Sequence, residues 1–417
     1  MEVTVIVIGD ELLIGQVIDT NSGEIARHIA PHGWTVRQVF TVADNADDIR
    51  RAIDRAFLTT SVVLTTGGLG PTKDDITKST LRDIFGGEMR LDETTLQNVR
   101  DVMSRRGLKL NTLTEDQAIV PTSCRVIQNR VGTAPIMWFE SAGKVLVAMP
   151  GVPFETREMF QSAVFPQLLE RFPSDMAVEH RTLIVTGITE SALAMRLESW
   201  ENALPGWAHL AYLPRPGLIR LRIDGKSDDR DSLHSEMDAL QAQLEDLCSD
   251  ILLTTADTPL PELLLNELRS HSLTVATAES CTGGNIAATI VSIPGSSDSM
   301  LGGIVAYSNE VKQRLLGVDT ETLSTNGAVS IPVVEQMAVG AQTATGADVT
   351  LATSGIAGPG GAVEGKPVGT VCIACACHGV VRSNTFHFPG NRARVIDRST
   401  MTALIMAVQL IRECCQH

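Results

Sequence analysis

Short apolar runs alternate with segments of helical period along most of this chain, and that alternation restricts the folds open to it. Residues 3–8 read as a strand, 21–29 as a helix and 36–42 as a strand. Residues 47–57 are helical, with Ile49, Ala52, Ile53 and Ala56 on one stripe, and 61–64 form a short apolar strand. Helical patterns follow near 76–84 and 93–105, then a strand at 144–149 and a helix over about 154–170. Strand and helix in turn predict an α/β domain whose parallel sheet is covered on both faces.

The middle of the chain differs. Residues 182–185 and 218–223 read as strands, the second with the half-exposed pattern Leu-Ile-Arg-Leu-Arg-Ile of an antiparallel sheet. With helices at 191–198 and 232–247 this is a small α+β unit. Alternation then resumes, with helices at 261–270, 284–291, 332–345 and 392–412 and strands at 273–276, 303–307, 348–354 and 369–377. A chain of 417 residues exceeds one ordinary core, and three domains are expected at 1–172, 178–252 and 258–417.

Charge and cysteine usage narrow the function. A net charge of −15 repels phosphate backbones and argues against nucleic acid, although a small phosphorylated ligand can still bind in a local nest of amides. Residues 1–9 lack a basic region and a small-residue cleavage site, so they read as a first strand and not a signal peptide. No apolar run approaches membrane-spanning length, and a cytoplasmic location is expected. Cys372, Cys375 and Cys377 cluster and Cys414 adjoins Cys415, but no second CxxC or histidine pair completes a tetrahedral metal set. The cluster reads as a buried strand that uses cysteine as a small apolar residue.

Two strand-to-helix turns carry candidate chemistry. The first is Thr65-Thr66-Gly67-Gly68-Leu69-Gly70-Pro71-Thr72-Lys73-Asp74-Asp75. Gly67, Gly68 and Gly70 let amides approach a phosphate, and Thr66 and Thr72 can donate hydroxyl bonds. Asp74 and Asp75 repel a bare phosphate, so their presence calls for a divalent cation between carboxylate and phosphate oxygens. A plain glycine turn with Asp at a helix start is the alternative. Glu11, Asp44 with Asn45, and Met149-Pro150-Gly151 follow neighbouring strands and should reach the same sheet edge. Each also reads as an ordinary turn or helix-start residue.

The second turn is Thr277-Ala278-Glu279-Ser280-Cys281-Thr282-Gly283-Gly284. Ser280 there would be exposed beside the free amides of a helix N-terminus, which favour an oxyanion. Lys312 follows in Tyr307-Ser308-Asn309-Glu310-Val311-Lys312, and serine with lysine is a known hydrolase pairing. Against this, Ser280 reads as a helix cap, Lys312 as a solvated helix lysine and Tyr307 as a core residue closing a strand. Cys281 is an alternative nucleophile, but no histidine lies near it in sequence.

Motifs spread over the whole chain carry a family resemblance. They include Gly9-Asp10-Glu11-Leu12-Leu13-Ile14-Gly15-Gln16, Asp19-Thr20-Asn21, the 66–75 loop, Val131-Gly132-Thr133-Ala134-Pro135 and Met149-Pro150-Gly151. The later ones include residues 277–284, 294–297, 307–312, 327–330, 354–359, 366–370 and 390–392. Together they resemble the CinA family, the competence/damage-inducible protein. The resemblance implies an N-terminal three-layer domain similar to molybdopterin-binding proteins, a small KH-like α+β linker and a C-terminal α/β deamidase domain. The linker segment 211–216 resembles the family's, yet no GXXG loop is present, so a spacer or dimer element is expected in place of a nucleic-acid clamp.

For the first domain the resemblance implies a metal-dependent ADP-ribose pyrophosphatase. Asp74, Asp75, Asp44 and Glu11 would then face the divalent metal, and Gly67, Gly68, Gly70 and Thr72 the substrate. For the last domain it implies cofactor-free hydrolysis of the carboxamide of nicotinamide mononucleotide (NMN). Ser280 would attack, Lys312 would take the proton, and Tyr307 would orient the lysine or share the proton. Amides near Cys281, Thr282 and Gly283 would hold the oxyanion. Gly355, Ala357, Gly358 and Arg392 would receive the mononucleotide phosphate. Three departures from the family pattern stand out: Asp10 in place of a usual threonine, residues 152–155 in place of Pro-Pro-Ser-Glu, and Ile396 in place of an arginine. A non-catalytic competence or DNA-damage accessory protein, or a pterin-binding module, is the rival reading. A homodimer is expected.

Overall fold

Every residue from Val3 to Ile8 is buried along β1 (Glu2–Ile8), so both faces of this strand are covered. The computed structural model describes residues 1–72, 75–173 and 176–415. Strand β1 pairs in parallel with β2 (Thr35–Val42) on one side and β3 (Val62–Thr66) on the other. A two-stranded ladder, β4 (Met89–Leu91) with β5 (Ile119–Pro121), stands apart. The main sheet continues through β6 (Arg125–Ile127), β7 (Ile136–Ser141) and β8 (Lys144–Met149), in the order β2-β1-β3-β8-β7-β6. It packs Val3, Val5 and Val7 on one side against Ile25, Ile29, Phe160 and Phe165. On the other side Ile6 and Ile8 meet Ile49, Ile53 and Ala56. These are the three expected layers.

The all-parallel expectation needs correction at one edge. Strands β7 and β8 form an antiparallel hairpin, turned by Ala142 and Gly143 at φ 49 and 76. Two positive φ values in a two-residue loop fit the twist of a hairpin. The helix expected over 154–170 is also interrupted. It runs as Pro153–Met159, a π-turn at Phe160–Val164, and Phe165–Arg171. Pro166 has no N–H for the regular ladder, and the wider turn absorbs that defect.

In the middle segment β9 (Ala177–Thr186), β10 (Ala208–Arg215), β11 (Leu218–Ser227) and β12 (Leu252–Thr254) lie in the order β10-β11-β9-β12, with helices Glu190–Asn202 and Arg230–Leu247. This is the expected α+β unit. Strand β10 escaped the sequence reading because it is a half-exposed edge strand that carries Pro214. By contacts the chain groups into two compact units, residues 1–180 with 224–237 and residues 181–223 with 238–417.

The C-terminal sheet centres on β13 (Val275–Glu279), parallel to both β14 (Met300–Val305) and β15 (Val349–Gly355). Strands β16 (Thr370–Cys377) and β17 (Val380–His387) complete it in antiparallel sense. The period of two along β16 explains its cysteines: Cys375 and Cys377 enter one core, and Cys372 the opposite one. All eight cysteines are free. Helix Ile331–Thr345 packs on one face of this sheet, while Arg392–Cys415 and Leu260–Ser270 cover the other. Among the described residues no helix is long and apolar enough to cross a membrane.

Candidate functional site

In both α/β sheets the chain leaves the first strand on one side and returns on the other: β1 is flanked by β2 and β3, and β13 by β14 and β15. Loops diverge at the carboxyl ends of strands where the order reverses, and a crevice opens there. Each of the two expected sites sits at such a point.

Ser280 directly follows β13. Its amide donates to Thr353 O at 3.0 Å, which ties the turn to β15. Gly283 and Gly284, at φ 64 and 97, turn the chain into helix Asn285–Val291. The amides of that helix are not free, contrary to expectation. Glu279, fully buried, accepts from Gly284 N (2.9 Å), Ile286 N (3.0 Å), Ala287 N (2.8 Å) and Thr282 Oγ1 (2.7 Å). The Gly283 amide closes the turn on Ser280 O, so Gly283 also leaves the oxyanion set. Among the described residues the amides of Cys281 and Thr282 have no carbonyl or carboxylate acceptor and remain available.

Lys312 lies on helix Asn309–Leu316, whose start is capped by Ser308. It is 1% exposed, so it is no solvated lysine. Its Nζ donates to Ser280 Oγ at 3.0 Å, to Ala306 O at 2.9 Å and to Tyr307 O at 3.4 Å. Burial pulls the amine below the ordinary lysine range, against weaker opposition from Cys281 and Glu310. Burial likewise pushes the Cys281 thiol up to about 12, so the rival nucleophile stays protonated.

Tyr307 requires a correction. Its side chain is 62% exposed, and its hydroxyl accepts from Arg392 Nη2 at 3.1 Å and not from the lysine. Only its backbone carbonyl touches Lys312. Arg392 also donates to Gly358 O at 2.9 Å, which brings Arg392, Tyr307 and the 356–361 loop together beside the serine strand. Gly355 closes β15 opposite Val371, where a Cβ would stand 2.8 Å from Thr370 O, so it serves packing. Ala357 is buried beside it. The sequence reading overlooked Glu279 and the contact of Thr282 Oγ1 with Thr353 Oγ1 (2.7 Å). An acid one place before a serine turn was the available signal.

At the N-terminal edge a cavity of about 420 Å³ is lined by Glu11, Asn21, Asp44, Thr66, Gly68 and Asp75, among others. Gly67, at φ 110, lies so close to β1 that a Cβ would meet Ile8 O at 2.0 Å. The amides reserved for phosphate are occupied: Gly70 N (2.7 Å) and Thr72 N (2.9 Å) donate to the Asp75 carboxylate, as does Thr72 Oγ1. The Thr66 hydroxyl donates to Pro150 O and accepts from Asn21 Nδ2, so it too is engaged within the fold. Asn21 Nδ2 also donates to Gly151 O at 2.9 Å, and its buried Oδ1 has no partner among the described residues.

Asp10 and Asp44 exchange reciprocal bonds from backbone amide to carboxylate (3.0 and 3.2 Å). Glu11 folds back over Gly9. Desolvation raises the Asp44 pKa, and the charges of Asp10, Glu11 and Asp75 add to the rise. Asn45 is the cap of helix Ala46–Phe57. Lys78, unnoticed in the sequence, is pulled down to about 8 by burial and donates to Gln117 O at 2.6 Å. Asp74 lies outside the described residues. Among those described, no three His, Cys, Asp or Glu side chains form a ready metal cage.

Comparison with known proteins places family models over most of this chain. The "CinA C-terminal domain" matches residues 257–411, the "Damage-inducible protein CinA KH domain" 180–250 and the "Probable molybdopterin binding domain" 4–170. A "CinA-like protein" of Flavobacterium psychrophilum is 39% identical over 411 residues, 97% of each chain. Another, of Gemmatimonas aurantiaca, is 39% identical over 407 residues, 97% of this chain and 95% of that one. Among solved structures, the competence/damage inducible protein CihA from Agrobacterium tumefaciens is 39% identical over 38% of this chain and 99% of its own, with a TM-score of 0.36.

Proposed function

This chain belongs to the CinA family, and from that premise we propose that its C-terminal domain hydrolyses the carboxamide of NMN to nicotinate mononucleotide and ammonia. One observation carries the reading: a buried lysine amine 3.0 Å from the hydroxyl of a serine at the sheet's switch point. Neutral Lys312 has two N–H bonds and one lone pair. The carbonyls of Ala306 and Tyr307 take the hydrogens, and the lone pair faces Ser280 Oγ.

Ser280 Oγ attacks the carboxamide carbon while its proton passes to Lys312 Nζ. The amides of Cys281 and Thr282 stabilise the resulting oxyanion. Collapse of the tetrahedral species breaks the C–N bond, and Lys312 returns the proton to the departing ammonia. The ester left on Ser280 is attacked by water, whose proton Lys312 takes and then gives back to Ser280 Oγ as the carboxylate product leaves. Arg392 suits the substrate phosphate by charge and by its place beside the 356–361 loop.

For the N-terminal domain we propose metal-dependent cleavage of ADP-ribose at its pyrophosphate. The donor set fits a hard divalent cation, because Glu11, Asp44 and Asp75 line one crevice, where desolvation first and then the charges of Asp10, Glu11 and Asp75 raise Asp44. Asp75 and Asp44 would hold it, with Asp74 and Glu11 adjacent in sequence and space respectively. Such an ion polarises phosphoryl oxygens and neutralises charge on the leaving phosphate. A cation of this kind needs only one or two protein carboxylates when phosphates supply the rest, which suits a crevice whose described residues form no ready cage. Gly67 and Gly68 keep the crevice floor free of side chains, and Asn21 Oδ1 offers a buried acceptor.

The test is a product assay with NMN and with ADP-ribose, with and without divalent cations. Ammonia release from NMN is expected in the intact protein and absent in a folded Ser280→Ala variant. Equal release by that variant rejects the nucleophile.

A further inference from the structure

We propose that Glu279 is a positioning residue for amide hydrolysis, fixing the turn that presents Ser280 to Lys312. The proposal rests on the reading of Ser280 as the nucleophile. Glu279 is the residue immediately before Ser280, and its carboxylate is wholly removed from water. An ionised group there survives only if its oxygens are satisfied. Oε2 accepts three bonds, from Thr282 Oγ1, Gly284 N and Ile286 N, and Oε1 accepts one from Ala287 N. The carboxylate therefore replaces solvent for the first amides of helix Asn285–Val291 and closes residues 279–287 on themselves.

The same cluster is anchored to the neighbouring strand at two points. Ser280 N donates to Thr353 O at 3.0 Å, and Thr282 Oγ1 lies 2.7 Å from Thr353 Oγ1. The turn is held from below by Glu279, from the side by Thr353 and at its tip by Lys312. Among the described residues the Glu279 carboxylate makes its hydrogen bonds to Thr282, Gly284, Ile286 and Ala287 and not to Ser280 Oγ or Lys312 Nζ, so its effect passes through the backbone of Ser280. A consequence is that helix amides cannot serve the oxyanion, which leaves the task to the amides of Cys281 and Thr282. The direction of those two amides is set by the shape of the turn.

Glu279→Gln tests this in the full-length protein with NMN as substrate. A carboxamide has one acceptor and one donor end, so it must face either the three donors at Oε2 or the Ala287 amide with an NH₂ group. The turn must shift to avoid that clash, and kcat is expected to fall about a hundredfold, the scale for a nucleophile displaced by an ångström. KM should change by less than about threefold, since binding groups are untouched. The pH at half-maximal rate should stay put, because Ala306 and Tyr307 still surround Lys312. Thr282→Val removes the bond to the carboxylate together with the contact to Thr353 Oγ1 and should lower kcat roughly tenfold, whereas Thr282→Ser should restore it and Thr353→Val, which breaks the strand contact but spares the carboxylate bond, should cost less.

Near-ultraviolet circular dichroism and a cooperative melt count the correctly folded fraction without using the reactivity of Ser280. If the rate per folded molecule in Glu279→Gln equals that of the parent, the residue is merely structural and the proposal fails. Should Glu279→Gln not fold, the Thr282 variants decide beside Thr353→Val: a kcat in Thr282→Val equal to that in Thr282→Ser or in Thr353→Val overturns the proposal. Undiminished ammonia release by Ser280→Ala would instead remove the nucleophile reading, an outcome these variants do not mimic.

Discussion

Lys312 Nζ lies 3.0 Å from Ser280 Oγ and is shared with the carbonyl oxygens of Ala306 and Tyr307. Three acceptors around one nitrogen suit an ammonium ion, and two carbonyls with one hydroxyl suit a neutral amine equally well. The site can thus keep its geometry while the proton comes and goes. What changes with protonation is the direction of the bond between lysine and serine and, on the proposed mechanism, whether the serine is activated.

That relation fixes the sign of the pH dependence. The base must be neutral, and burial places the Lys312 pKa below the ordinary 10.5. Ammonia release from NMN should therefore be low in acid and climb with pH along a single limb whose midpoint lies under the usual lysine value. Initial rates measured from neutral to alkaline pH check this. A rate that falls over that interval would remove Lys312 from the role of base.

The same burial makes a stability prediction of unusual direction. With its folded pKa depressed, Lys312 binds fewer protons in the native state than in the unfolded chain between the two pKa values, so native stability rises with pH there. Below the folded pKa the full cost of housing the charge is present. Lys312→Met replaces it with an apolar group of similar volume. Activity should drop on the order of ten-thousandfold, the scale for loss of a catalytic-unit residue. Meanwhile Tm at neutral pH should equal or exceed that of the parent, and the advantage should shrink in alkali. Thermal melts at two pH values decide it, and a variant markedly less stable at neutral pH would contradict the assignment.

Much of this was legible in the chain. Apolar alternation marks the central strands of both α/β domains because strands buried on both faces have few residue types to choose from. Edge strands β10 and β17 were not legible, since half their side chains face solvent and their patterns dilute. Ser280 and Lys312 were visible as residue types, but their contact spans 32 positions and belongs to tertiary structure. The misreadings share one cause. Sequence marks the amides of a glycine turn or a helix start as unclaimed, yet an acid nearby can claim them: Glu279 takes helix-start amides at the second turn, and Asp75 takes the loop amides of Gly70 and Thr72 at the first. Tyr307 was expected to orient the lysine or share its proton; the lysine bonds its carbonyl, which every residue type has, while its hydroxyl turns to Arg392.

Gly67 offers a test of how tightly the first crevice is built. At φ 110 it occupies backbone space that side chains rarely tolerate, and an added Cβ would sit 2.0 Å from Ile8 O. That neighbour is backbone of a central strand and cannot swing aside. Gly67→Ala should cost about 2–4 kcal/mol from strain together with displacement of the strand end. Urea unfolding of the transition that reports this domain measures the loss, and a change under about 0.5 kcal/mol would mean the loop relaxes freely.

Under the proposed metal-dependent cleavage Asp75 would serve both the loop and the ion, and the two roles can be separated. Its carboxylate holds the amides of Gly70 and Thr72, so a cation drawn to the crevice competes with the loop for the same oxygens. Asp75→Asn keeps one acceptor for those amides and removes the charge that attracts the ion. Cleavage of ADP-ribose should then fall roughly a hundredfold at limiting cation and recover in part as cation is raised, because the defect is one of ion binding. A chelator should abolish ADP-ribose cleavage in the parent protein yet leave ammonia release from NMN intact, since Ser280 and Lys312 need no metal. Product assays on both substrates with titrated divalent cation supply every arm. Cleavage in Asp75→Asn that matches the parent at each concentration would take this carboxylate out of the metal site.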